Sequence, residues 1–157
     1  MNKFAIATAV AALFAGSSAF AAVAVGGQTS GEIIIKGTVG DLCEINVVDL
    51  GRNLNLVDGE QAARVGEITE TCNNPEGYSV SFSSDNGGFM TGPLDAQSFY
   101  TINYDSIDDF SLAADGGLVR DLPRWNAAFD LTVNVEGDDE LPAGNYRDLV
   151  TVEIAAL

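Results

Sequence analysis

Apolar and polar residues alternate in short runs along most of the chain. Tyr78, Val80 and Phe82 fall on one face of an extended segment, with Ser79, Ser81 and Ser83 on the other. Tyr100, Ile102 and Tyr104 repeat the pattern. So do Phe129, Leu131, Val133 and Val135, opposed by Asp130, Thr132, Asn134 and Glu136. Near the end Val150, Val152, Ile154 and Ala156 oppose Thr151 and Glu153. A period of two over four to eight residues is the signature of a half-buried strand. The runs are separated by turn chemistry at Asp85-Asn86-Gly87-Gly88, Glu136-Gly137-Asp138-Asp139 and Pro142-Ala143-Gly144-Asn145. Glycine and asparagine tolerate positive φ there, and proline pre-sets a turn. No convincing amphipathic helix follows the first residues. Residues 58–64 are expected to make at most one helical turn, and 105–126 to be irregular or to hold short strands. Many short strands at this spacing predict an all-β fold, a sandwich.

The amino-terminal residues break the pattern. Lys3 is followed by an uncharged apolar run from Phe4 to Ala15 and then by Ala19-Phe20-Ala21. A charge, a short apolar core and a small-x-small site read as an export signal cleaved after Ala21, with Ala24 the other candidate. The run is shorter than the roughly 20 residues of a spanning helix. The alternative is a retained helical anchor. The expected organisation is a signal at 1–21, an extension at 22–41 opening on the small, uncharged Ala22–Gly31 stretch, and a sandwich domain at 42–157.

Export changes the meaning of the two cysteines, Cys43 and Cys72. An even count in an exported chain favours a disulfide, the alternative being two buried thiols. The bond would add about 3–4 kcal/mol in the chain-entropy view. Charge narrows the partners further. The net charge is −16 with no histidine, so nucleic acid and anionic lipid are disfavoured, since both need Lys or Arg. Without histidine the common nucleophile–base pairs and the commonest zinc ligand are missing. No cofactor, metal site or catalytic residue is expected, and the chain is not read as an enzyme. Asp108-Asp109 and Asp138-Asp139-Glu140 are expected to be solvated turns. Trp125 is expected to cap an edge of the core rather than to anchor a ligand.

The stretch before the first cysteine is Gly31-Glu32-Ile33-Ile34-Ile35-Lys36-Gly37-Thr38-Val39. Ile33, Ile35, Gly37 and Val39 share one face. By alternation alone it would be an ordinary first strand. An alternating apolar segment, interrupted by glycine and placed just ahead of a cysteine, resembles the amino-terminal extension of chaperone–usher pilins of the type 1 and P pilus kind. Cys43 and Cys72 match that family's cysteine pair. The ending, with Gly144-x-Tyr146-x-Asp148 leading into Leu149–Ile154, resembles the family's terminal strand and that of the spore coat protein U-like pilins. The chain ends Ile154-Ala155-Ala156-Leu157, without the penultimate tyrosine of many type 1 pilins.

The resemblance implies an immunoglobulin-like sandwich that lacks its last strand and is completed by a donor strand. Val150, Val152 and Ile154 would form the edge bordering the open groove, first covered by a periplasmic chaperone. Ile33, Ile35, Gly37 and Val39 would be the donor face, entering the groove of a neighbouring pilin subunit. Assembly through an outer-membrane usher would give a head-to-tail homopolymer, a cell-surface fimbria mediating adhesion, with no insertion into the membrane. The alternative is an exported sandwich that acts as an adhesin or coat protein without polymerising.

Overall fold

The structure, a computed structural model, describes residues Ser30–Leu157. The signal and its cleavage site fall outside them, as does most of the Ala22–Gly31 stretch. The chain divides into a unit ending at Gly37 and a second unit, Thr38–Leu157. In the first, residues 30–37 form no strand.

The second unit is nearly all β, with one 3-10 turn at Pro93–Asp95. Its strands are β1 (Cys43–Asp49), β2 (Gly59–Cys72), β3 (Tyr78–Ser84), β4 (Phe89–Thr91), β5 (Gln97–Tyr104), β6 (Ile107–Ser111), β7 (Gly116–Arg120), β8 (Arg124–Glu136) and β9 (Val150–Ala156). One sheet runs β1-β2-β8-β5-β4, with β6 also beside β5; the other runs β7-β3-β9. All the strand pairs are antiparallel. The alternation read from the sequence decides which side chains are inside. Tyr78, Val80 and Phe82 of β3 pack against Ile68 of β2, Ile102 and Tyr104 of β5, and Leu131, Val133 and Val135 of β8. The two sheets thus form a β-sandwich around one core.

Three expectations differ. Residues 59–64 open the long strand β2 instead of making a helical turn; Ala62, at φ 50°, absorbs the irregularity as a bulge against β8. Asp108 and Asp109 lie in strand β6, where Asp109 accepts from Asn134 across the outer face of the sheet. Trp125 does not cap the core: it is 64% exposed on β8. The core edge is covered by Phe129, stacked under the Arg120 and Arg124 guanidinium groups at 4.7 and 5.3 Å.

Cys43 and Cys72 are opposite each other in the β1–β2 ladder and are disulfide-bonded, as expected. Beside Cys72 lies a feature the composition hid. Glu70 shares the inward face of β2 with Ile68 and Cys72 and is 0% exposed. Its carboxylate accepts from the Tyr78 hydroxyl at 2.6 Å, the Tyr104 hydroxyl at 2.6 Å, and Arg120 Nη2 at 2.8 Å. Arg120, 5% exposed, also pairs with Asp105. The four strands β2, β3, β5 and β7 are tied together through one carboxylate. Burial by itself would raise the Glu70 pKa, but the bonds from Arg120, Tyr104 and Tyr78 outweigh it and hold the carboxyl below its ordinary value. Burial alone would lower the Arg120 pKa, but its bonds to Glu70 and Asp105 outweigh that and raise it.

Removing one partner of a buried, satisfied ion pair leaves an uncompensated charge. Glu70→Ala is expected to cost about 3–5 kcal/mol in urea unfolding at neutral pH, and Glu70→Leu combined with Arg120→Met to cost less than the single change. Because the folded Glu70 is depressed below 4.5, its contribution is present above that pH and is lost as pH falls through the folded value. Unfolding measured from pH 7 down to pH 3 should show a steeper loss for the wild type than for Glu70→Gln.

Candidate functional site

β9 is an edge strand: β3 lies on one side and no described strand on the other. The ladder with β3 fixes which of its groups are left over. Asp85 N–H donates to Leu149 O, and Leu157 N–H donates to Gly77 O. In an antiparallel pair, hydrogen-bonded and non-bonded residues alternate. The odd residues of β9 therefore bond to β3, and the backbone groups of Val150, Val152, Ile154 and Ala156 point to the open edge. The side chains of Val150, Val152 and Ile154 also point to the core, yet they remain half-exposed.

β1 mirrors this arrangement. Asn73 N–H donates to Leu42 O and Leu50 N–H to Val65 O, so even positions face β2. Cys43, Ile45 and Val47 then present their backbone groups to the free edge and their side chains inward. Between the two edges runs a cleft of about 590 Å³, walled by Val47 and Val48 on β1 and by Val150 and Val152 on β9. Its floor is Tyr100, Ile102, Leu131 and Val133. A second cavity of about 660 Å³ shares Leu54, Met90, Tyr146 and Arg147 with it and reaches to Leu141–Asn145. Cα atoms of β1 and β9 approach within 8 Å. A strand seated between two others needs its neighbours about 9.5 Å apart, so one entering here must part the walls slightly.

The Gly144-x-Tyr146-x-Asp148 motif explains why β9 lies where it does. A Cβ at Gly144 would sit 2.3 Å from Pro93 Cγ. The Tyr146 ring lies over Gly92, where a Cβ would come within 2.4 Å of it, and its hydroxyl donates to Pro142 O at 2.8 Å. Arg147 exchanges backbone bonds with Thr91 at 2.9 and 3.1 Å. Asp148 accepts from Ser84 Oγ at 2.6 Å, from the Tyr100 hydroxyl, and from the Asn86 N–H at 3.2 Å. Burial, together with the Asp148 carboxylate it donates to, raises the Tyr100 pKa above its ordinary value. Each motif residue pins the chain just before the edge strand begins.

The site residues read from the sequence fall into two groups. Val150, Val152 and Ile154 are together on the cleft side of β9. Ile33, Ile35 and Val39 are 89%, 92% and 84% exposed, and a Cβ at Gly37 would meet nothing within 4 Å. Sequence reasoning missed the opposite wall and floor of the cleft. Alternation in Cys43-Glu44-Ile45-Asn46-Val47 carried the signal for the wall. Among the described residues no group of three or more His, Cys, Asp or Glu is placed to hold a metal, and no helix is long and apolar enough to cross a membrane.

No protein-family model and no curated protein matches the chain. Seven solved chains do. One of them is the minor tip subunit HdaB of the Escherichia coli Hda pilus, at 15% identity over 71% of this chain and 80% of that chain, with a TM-score of 0.41. At that level of similarity, function has to be argued from the cleft itself.

The anchoring of β9 is open to direct measurement. Asp148→Ala leaves the Tyr100 hydroxyl without its acceptor and is expected to cost about 2–3 kcal/mol. Native-state hydrogen exchange should show the loss of protection concentrated in β9 and in the β3 residues that pair with it. Uniform loss across β2 and β8 would mean that Asp148 does not act locally.

Proposed function

We propose that the protein is a structural subunit of a surface fimbria, and that it polymerises by lending Glu32–Val39 to the cleft of a neighbouring copy. The observation that carries this reading is the match between a two-walled cleft and the segment that precedes β1. Both walls present unpaired backbone groups from the same residues whose apolar side chains face inward. The segment supplies what such a cleft lacks: strand-like alternation that would place Ile33, Ile35, Gly37 and Val39 on one face. Strand addition would satisfy the ladder groups, and alternate side chains would fill the apolar floor. Burying each isoleucine would contribute about 1.5–3 kcal/mol, against the cost of parting β1 from β9.

An unpaired, apolar strand edge is an aggregation hazard. In this reading a periplasmic chaperone covers it until an outer-membrane usher passes the subunit to the growing fibre. The contact is heterologous, head to tail, and so propagates into a filament. No catalytic step is part of this reading. Exposed Trp125 and Leu122 favour a second one, an exported sandwich that binds a ligand through that end and stays monomeric.

Gly37 separates the two. In an ordinary solvent-facing segment, Gly37→Val is mild or stabilising, because valine has the higher strand propensity. In a donor strand held between two walls the added side chain overpacks, at about 1–3 kcal/mol. The expected result is loss of filaments while the chaperone-bound subunit accumulates normally. Filaments at wild-type yield would remove the glycine from the mechanism. A wild-type protein that remains a stable monomer without a chaperone would favour the second reading.

A further inference from the structure

A cleft open to a neighbour's strand is equally open to the chain's own. A three-residue loop at Gly40-Asp41-Leu42 would fold the preceding segment back along the free edge of β1, and such loops are common in hairpins. The phase would be correct. Val39 would oppose Cys43, Gly37 would oppose Ile45, and Ile35 would oppose Val47, so all the apolar positions would face inward. Nothing in the alternation of the segment distinguishes its own cleft from that of another copy.

The residue that follows the second cysteine makes the distinction. Asn73 N–H donates to Leu42 O at 2.9 Å. Its side-chain Oδ1 accepts from Leu42 N–H at 2.7 Å, and its Nδ2 donates to Gly40 O at 2.8 Å. Three bonds from one residue hold 40–42 in line with β1, on the side of β2. A hairpin loop at the same three residues has to curve the other way, toward β9, and cannot keep the Gly40 bond. Asn73 is itself fixed by the neighbouring turn, where Asn74 accepts from Glu76 N–H at 2.8 Å and from Gly77 N–H at 3.1 Å.

We propose that Asn73 is a positioning residue that opposes closure of the cleft by the chain's own extension, so that the extension remains free for a second copy of the protein. This rests on the donor-strand reading above. The clamp acts on the choice between self and neighbour, because Asn73 touches residues 40–42 and not the donor face itself.

The test uses the full mature chain, as wild type, Asn73→Ala and Asn73→Asp, refolded at low concentration with the disulfide intact and then concentrated. Monomer and polymer are separated by size, and the state of the extension in the monomer is read by trypsin cleavage after Lys36. In the wild type, Lys36 should be cut readily in the monomer, and polymer should form. In Asn73→Ala, loss of the bond to Gly40 that closure would have to break should lower the polymer-to-monomer ratio about fivefold, with Lys36 protected in the monomer. Asn73→Asp keeps the acceptor for Leu42 but loses the donor to Gly40. It is nearly isosteric, guards against a folding defect, and should behave like Asn73→Ala. Wild-type ratios and open Lys36 in both variants would overturn the role of Asn73 while leaving strand donation intact. Failure of the wild type to polymerise or to take up an added Glu32–Val39 peptide would instead overturn strand donation, and this inference with it.

Discussion

The open edge of β9 is the constraint on which the rest of the molecule turns. A strand with β3 on one side and no described strand on the other leaves half its backbone groups without a ladder partner among the described residues. In an antiparallel ladder those groups belong to residues of a single parity. Here that parity is also the one that points inward, at Val150, Val152 and Ile154. The unpaired polar groups and the half-covered apolar side chains are thus properties of the same three residues, and one incoming strand would answer both. The mirror arrangement on β1, at Ile45 and Val47, means that such a strand would be met from two sides.

The molecule is unevenly braced around this edge. Close to the disulfide, the Glu70–Arg120 pair with its two tyrosine hydroxyls ties four strands across both sheets. At the start of β9, Asp148 and the Arg147–Thr91 bridge do the holding. Between them, Val47 and Val48 line a cavity opposite Val150 and Val152, and no side-chain bond among the described residues spans it. Ends braced in this way keep the two walls in phase with each other, although they stand closer together than an inserted strand would need.

The sequence displayed the strands because alternation survives wherever one face is buried. β3, β5, β8 and β9 were each visible from three or four apolar residues. The start of β2 was not, since Glu60, Gln61 and Arg64 lie beside a bulge where the period slips. β6 was obscured for a related reason: Asp108 and Asp109 look like a turn, but their strand runs along an outer face where carboxylates can find Thr and Asn partners. Trp125 misled because size alone suggests burial, whereas Phe129, four residues on, had the guanidinium cover. Of the candidate site, the β9 wall was legible from its ending motif. The β1 wall was overlooked although Cys43, Ile45 and Val47 alternate, because the pattern marks an inward face but does not say that the strand lies at the end of its sheet. Glu70 was hidden among 23 acidic residues, although its place between Ile68 and Cys72 marks it as a carboxylate on a core face.

The fixed parity of β9 also limits how a strand may sit against it. Sliding by two residues preserves the inward face; sliding by one inverts it. For the segment before β1, the inverted phase would turn Glu32, Ile34, Lys36 and Thr38 toward Ile102 and Val133. An ammonium and a carboxylate would be driven into an apolar floor with no partner there to receive them. If the segment is donated as proposed, Lys36 and Glu32 would act as a spelling check on alignment, written on the face that would stay out of the cleft in the correct phase.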